Sequence, residues 1–246
     1  MFVKTNSRRN IGDMKREAKE ALENDDLQKY KSLLCMLQET YPADLWAFRK
    51  EALLAARERD WNTVLACTRK VCTKNPQDFD MRILMAKALS KQGLHAEAEA
   101  QMRWLERQMK PESTGNARYV SFLLTYSGIC ADRGNLRRAA AFLQEILDIC
   151  PDHGEAVIHL ARCLRKIGET DRALRVLAQH SDYSDPYWLI EQAYCLARKG
   201  KPSKAESLLR RAGKLASSHR NRDSLKNRIR EVISREFSGT QLPSLA

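Results

Sequence analysis

Gly134 and Gly168 stand 34 positions apart, and the residues around them repeat at the same offset. An alanine follows each glycine by five residues (Ala139, Ala173), and a leucine follows each alanine by four (Leu143, Leu177). Before each glycine lies a second apolar periodic segment, carrying Tyr126-Ser127 in one copy and Leu160-Ala161 in the other. The pattern reads as helix, tight turn, helix, then the same again. Glycine at the turn accepts a positive φ, and the small residues on either side let two helices approach closely. A helix pair of about 34 residues cannot bury a core alone, so neighbouring pairs must stack.

The same pattern organises the rest of the chain, with a longer step of 41 back from Gly134 to Gly93 and a shorter one of 32 forward from Gly168 to Gly200. Backward it finds Gly93, with Met85-Ala86 and Leu89 before it and Ala98 after it. It then finds Arg59-Asp60-Trp61, followed by Val64, Val71 and Pro76, and finally Asp25-Asp26-Leu27, flanked by Ala18, Ala21, Tyr30, Leu34 and Leu37. Forward it finds Gly200-Lys201-Pro202, with Ala193 and Leu196 before it and Ala205, Leu209 and Ala212 after it. Six units are expected, near residues 11–44, 45–78, 79–112, 120–153, 154–185 and 186–217. Pro42, Pro76 and Pro151 follow second helices, where no N–H is needed. An N-terminal segment (1–10) precedes this 11–217 solenoid. A capping helix over 218–237 and a frayed tail over 238–246 follow it.

These units resemble tetratricopeptide repeats, over roughly residues 11 to 216 and by register rather than by any one residue. The resemblance implies an all-α, right-handed α-solenoid of about six helix pairs with a C-terminal capping helix. The sequence departs from the family pattern in three places. About seven extra residues, Glu112 to Arg118, separate the third and fourth units, and the link after His180 is short. The aromatic usual at the fourth position is Met14, Phe48, Arg82, Leu123, Val157 and Leu189, so only one unit keeps a ring. Family members that bind chaperone tails hold a carboxylate through lysine, asparagine and arginine side chains on three successive units. Lys15, Lys19 and Lys50 supply charge here, but Asp80 and Leu84 stand at the third unit's positions. That clamp is incomplete, and no cochaperone role is expected.

Several functions are excluded by what the chain lacks. It has no phosphate-loop or dinucleotide glycine pattern, no H-E-x-x-H and no G-x-S-x-G. The seven cysteines include no C-x-x-C pair, and they suit buried, reduced thiols rather than a metal site or disulfides. Of the five histidines, His95, His153 and His180 fall near turns or helix ends. His159 lies on an inner helix face with no nucleophile placed beside it. An enzyme, a cofactor and a bound metal are therefore not expected. No apolar run approaches the roughly 18 residues of a membrane span, and residues 1–10 lead into no apolar stretch. A cytoplasmic protein is the expectation.

Function must then come from the stacked surface. The resemblance implies that first helices line a concave face. Its positions here carry Lys15, Lys19, Trp46, Arg49, Lys50, Leu53, Ile83, Lys87, His159, Arg162, Arg165, Tyr187 and Tyr194. Cations alternate there with apolar and aromatic side chains, which suits an acidic or amphipathic peptide or protein. A second concentration of charge is C-terminal: residues 201–236 hold eleven Lys/Arg against four Asp/Glu, within a formal net charge of +12. That segment either caps the last apolar face or also meets an anionic surface. The leading expectation is a non-catalytic protein-binding scaffold or adaptor. The alternatives are an RNA-associated helical-repeat protein and a regulatory repeat module serving a separate enzyme system, such as envelope or polysaccharide assembly. The oligomeric state does not follow from the sequence.

Overall fold

The computed structural model describes residues 10–109, 116–179, 184–219 and 221–237, and all regular structure among them is helical. The expected N-terminal segment up to Arg9, the tail from Ser238, His180 and most of the insertion between the third and fourth units lie outside the described residues. The chain divides into two compact units, Met1–Ser113 and Thr114–Ala246.

The first unit holds three helix pairs: α1 (Ile11–Glu23) with α2 (Leu27–Thr40), α3 (Trp46–Glu58) with α4 (Trp61–Lys74), and α5 (Phe79–Lys91) with α6 (His95–Gln108). Each helix packs on the next in the chain. The second unit holds α7 (Asn116–Asp132) with α8 (Leu136–Ile149), α9 (Gly154–Lys166) with α10 (Thr170–Gln179), and α11 (Pro186–Arg198) with α12 (Pro202–Ala216), followed by α13 (Arg222–Glu236). Here α9 also packs on α11, and α13 lies against both α11 and α12. Each unit is thus a short α-solenoid, and α13 is the final capping helix.

The six intra-pair turns are one structure used six times. The residues with positive φ at these turns are Asp25, Arg59, Gly93, Gly134, Gly168 and Gly200. Their spacings of 34, 34, 41, 34 and 32 reproduce the sequence period, its seven-residue insertion and its shortened link. In each, the following residue donates its N–H back five positions: Asp26 to Ala21, Asp60 to Ala55, Leu94 to Leu89, Asn135 to Cys130, Glu169 to Leu164 and Lys201 to Leu196, all at 2.8–3.0 Å. This bond satisfies a carbonyl that the first helix leaves open and reverses the chain. The next helix is then started by a side chain in several pairs. Asp26 accepts from Lys29 N–H, Asp60 from Thr63 N–H and Asn135 from Arg138 N–H.

Small residues recur in the core where the period requires them. Ala18, Ala52, Ala86, Ala161 and Ala193 on the first helices are wholly buried, and Ser127 takes the equivalent place in α7. Their second-helix counterparts Val64, Ala98, Ala139, Ala173 and Ala205 are also wholly buried, with Tyr30 at 3% exposure. The third pair keeps this register despite Arg82 at the fourth position. The Arg82 guanidinium stacks 4.0 Å over the Trp104 ring and donates to Gln101 Oε1 and the Pro76 carbonyl, so an arginine fills an aromatic's place. At the far end, Leu225, Ile229, Val232 and Phe237 of the capping segment are buried. They close the apolar edge that a last pair would otherwise leave bare.

Candidate functional site

In the first unit, three acids of the first helices meet second-helix partners. Glu17 meets Lys29 at 3.1 Å, Glu58 meets Lys31 at 2.7 Å, and Glu51 accepts from Gln38 and from the Cys67 thiol. Burial first, and then that bond to Glu51, push the Cys67 pKa up to about 12, so the thiol is inert. The cations on these helices follow a different logic. Lys15 pairs with Asp44 at 2.6 Å, and Asp44 also accepts from Trp46 N–H. Partial burial opposes ionisation of Asp44, but these two contacts outweigh it and hold its carboxyl below the usual range. Arg49 pairs with Asp78, a buried carboxylate that also caps α5. Lys19 and Lys87 are exposed and have no ion partner among the described residues.

Trp46 collects the remaining charge. The ammonium groups of Lys15 and Lys50 each lie 5.8 Å from its ring centroid. Leu53 is 46% exposed. Lys19, Leu53 and Lys87 are 34 residues apart in series, so they occupy the same place on α1, α3 and α5. Ile83 belongs to the core instead, at 5% exposure.

The second unit differs because its first-helix face is already occupied. Glu191 on α11 is wholly buried and surrounded by three arginines. Arg162 Nε donates to its Oε1 at 2.8 Å, and Arg228 Nη2 donates to the same oxygen at 2.5 Å. Arg165 donates to Oε2 through Nε and Nη2 at 3.3 and 3.1 Å. Burial alone would raise the Glu191 pKa; the three guanidiniums overcome it and hold the carboxyl low. The rings expected on this face are stacked under the same cations. Arg165 lies 4.0 Å over Tyr194 and Arg228 lies 5.5 Å over Tyr187. Tyr194 and Arg165 are buried, at 3% and 5% exposure, and offer a partner little surface. His159 remains partly exposed, 3.8 Å from Glu155. Burial, and next Arg162, push its pKa down, so it is neutral at pH 7.

Sequence reasoning placed Arg162 and Arg165 on one face but did not bring Arg228 to them. The available signal was the glutamate itself, one charge in an otherwise apolar stretch of α11. The remaining features are structural. His153 Nδ1 accepts from Ala156 N–H as the cap of α9. Cys35 is exposed, Cys150 is half-buried and the other five free thiols are buried. Among the described residues, no group of His, Cys, Asp and Glu is placed to hold a metal, and no helix is long and apolar enough to cross a membrane.

Residues 131–188 match the model of the tetratricopeptide repeat family. Among the curated proteins, no sequence matches. Among solved structures, a tetratricopeptide repeat protein from Parabacteroides merdae superposes with a TM-score of 0.69 at 12% identity, over 94% of this chain and 87% of its own. PilW, described as a type IV pilus biogenesis factor, superposes with a TM-score of 0.72 at 13% identity, over 89% and 100%. YrrB, described as a tetratricopeptide repeat protein with an unusual peptide-binding site, superposes with a TM-score of 0.52 at 16% identity, over 79% and 97%. At these identities the likeness is one of fold. The six equivalent turns and the small residues in register thus build the fold of tetratricopeptide repeat proteins, and residues 131–188 match that family's model.

Proposed function

We propose that this chain is a non-catalytic, cytoplasmic scaffold that holds an acidic, amphipathic peptide or protein segment on the first-helix face of its first unit. The observation that carries this reading is the series Lys19, Leu53 and Lys87. Exposed and equivalent positions on three successive first helices alternate charge, apolar surface and charge, and Trp46 with Lys50 belongs to the same helix as Leu53. A segment with acids flanking an aliphatic anchor matches that series. The unusual peptide-binding site described for YrrB is in keeping with such a role for this fold. Of the wider expected set, Arg49 is committed to Asp78, while Arg162 and Arg165 are committed to Glu191. Partner contact is therefore assigned to Lys19, Trp46, Lys50, Leu53 and Lys87.

An RNA-binding reading is weaker on the same grounds. The rings expected to stack bases in the second unit, Tyr187 and Tyr194, already lie against arginines. The test uses a labelled peptide of alternating glutamate and leucine and a labelled single-stranded RNA, titrated by fluorescence anisotropy at two salt concentrations. Lys19→Glu with Lys87→Glu should weaken the peptide strongly, and Trp46→Ala should weaken it further. Salt should weaken it only moderately. RNA binding that is tighter than peptide binding, steep in salt and indifferent to these substitutions would overturn the reading.

A further inference from the structure

The Glu191 cluster has more positive charge than it consumes. Arg162 and Arg228 reach the same carboxylate oxygen, so their donor nitrogens lie at most about 5.3 Å apart. With Arg165, three guanidiniums face one carboxylate and leave two positive charges over. Glu231 acts on Arg228 from a distance, but the nearby acids are paired with other cations or screened. Glu231 pairs with Arg235 at 3.1 Å, and Glu236 pairs with Arg198 at 3.0 Å. Glu155 sits beside His159 and is 60% exposed on its side chain, where water screens it.

The excess is also accessible. Arg165 is sealed, with its side chain 6% exposed, but Arg162 and Arg228 keep 22% and 24% open. Both Nη groups of Arg162, and Nε and Nη1 of Arg228, have no hydrogen-bond partner among the described residues. Several N–H donors from two planar forks are thus unused around one carboxylate oxygen, with the Tyr187 ring against Arg228 and His159 one turn before Arg162. The Arg228 pKa is lowered, by burial first and then by Arg162, which shows two like charges held together. A single carboxylate at this place would neutralise only one of the two charges. A dianion with three free oxygens matches both the charge and the forks.

We infer that Arg162 and Arg228, held by Glu191, form a binding site for a phosphate monoester, carried either on a partner's side chain or on a small molecule. Arg165 and Glu191 act as positioning residues, since neither offers the ligand an open polar group. The site lies wholly in the second unit and stands independently of the peptide-binding role of the first.

Isothermal titration of the full chain with inorganic phosphate, sulfate and acetate, at matched ionic strength and a pH of about 7.5, where phosphate is mostly dianionic, tests this. Phosphate and sulfate stabilise proteins by exclusion from their surfaces, so the readout is the saturable heat rather than any rise in melting temperature. The two dianions should bind saturably and acetate should not. Arg162→Gln and Arg228→Gln should each weaken phosphate about ten-fold or more, the size of a lost charge-assisted hydrogen bond. Lys19→Gln should change nothing. A pentapeptide carrying phosphoserine separates the sources: tighter binding than inorganic phosphate points to a phosphorylated partner, and equal binding to a small molecule. Should Arg162→Gln fail to fold, Arg228→Lys keeps the charge, loses the fork and should still weaken phosphate. Absence of saturable dianion binding, equal binding of acetate, or unchanged affinity in the Arg228 variants overturns the assignment.

Discussion

Replacing Glu191 with glutamine removes one charge and almost no volume, so its effect isolates the ion cluster. The carboxylate is wholly buried and accepts four hydrogen bonds from three arginines. The neutral amide leaves Arg165 charged and sealed, whereas Arg162 and Arg228 can turn toward water. Breaking a buried ion pair by removing one partner costs about 3–5 kcal/mol, and this partial escape places Glu191→Gln near about 3 kcal/mol on that scale. For a chain of this size, about 2–4 °C is lost per kcal/mol, or about 6–12 °C in all. The pH dependence gives a second, sharper signature. The folded carboxyl titrates below its unfolded value of about 4.3, so its stabilisation is complete above that value. It is lost as the pH falls through the lower, folded pKa. The gap in melting temperature between the native chain and Glu191→Gln should therefore be full near neutral pH and should close in acid. Circular dichroism melts across that range provide the measurement. A variant within about 2 °C of the native chain near neutral pH, well short of the loss expected for an intact buried pair, would refute the reasoning. So would a gap that stays constant into acid.

Three further outcomes follow from the same structure. Deleting residues 218–246 should uncover Leu209 and Ala216 and lose the burial of Leu225, Ile229 and Val232, at about 25 cal/mol per Å² of apolar surface. A lower melting temperature and concentration-dependent light scattering are expected. Arg59 holds φ at 61° where four of the six turns use glycine. Arg59→Gly should raise stability by about 0.5–1 kcal/mol, since left-handed backbone costs a side-chain residue about 1–2 kcal/mol and added freedom in the unfolded chain offsets part of that. Urea unfolding would measure it. An aromatic disulfide reagent should label Cys35 fast in the native chain and Cys150 more slowly. The other five thiols should wait for unfolding, so Cys35→Ser should abolish the fast phase.

The helix pairs were legible in the sequence because a repeat states its geometry many times. Positive φ at residues 25, 59, 93, 134, 168 and 200, and buried small residues in step with them, follow from one period applied along the chain with one insertion and one shortened link. Even the non-glycine turns at Asp25 and Arg59 could be placed, because position carried the information that residue identity did not. Arg82 shows the opposite case. An arginine stands where the pattern usually has a ring, and only the structure reveals that Trp104 takes its guanidinium face.

The functional surface was legible only in part, and the reason is physical. Periodicity fixes which face of a helix points where, but it does not say what lies on that face. Lys19, Leu53 and Lys87 stay open because the helices beside them repeat, and each repeat covers the same flank. Arg162 and Arg165 carry the same face signal, yet a glutamate 29 and 26 residues further on turns inward and takes both. The third arginine comes from α13, which belongs to no repeat and so obeys no offset that could predict its contacts. Its Leu225, Ile229 and Val232 are spaced to seal an apolar edge, and the same turn of helix then carries Arg228 to the Glu191 oxygen. Capping the solenoid and completing the arginine cluster are thus one packing event. Any change that loosens α13 must release Arg228 from Glu191 and remove one of the two open guanidiniums, so stability of the cap and anion binding at Arg162 and Arg228 should fall together.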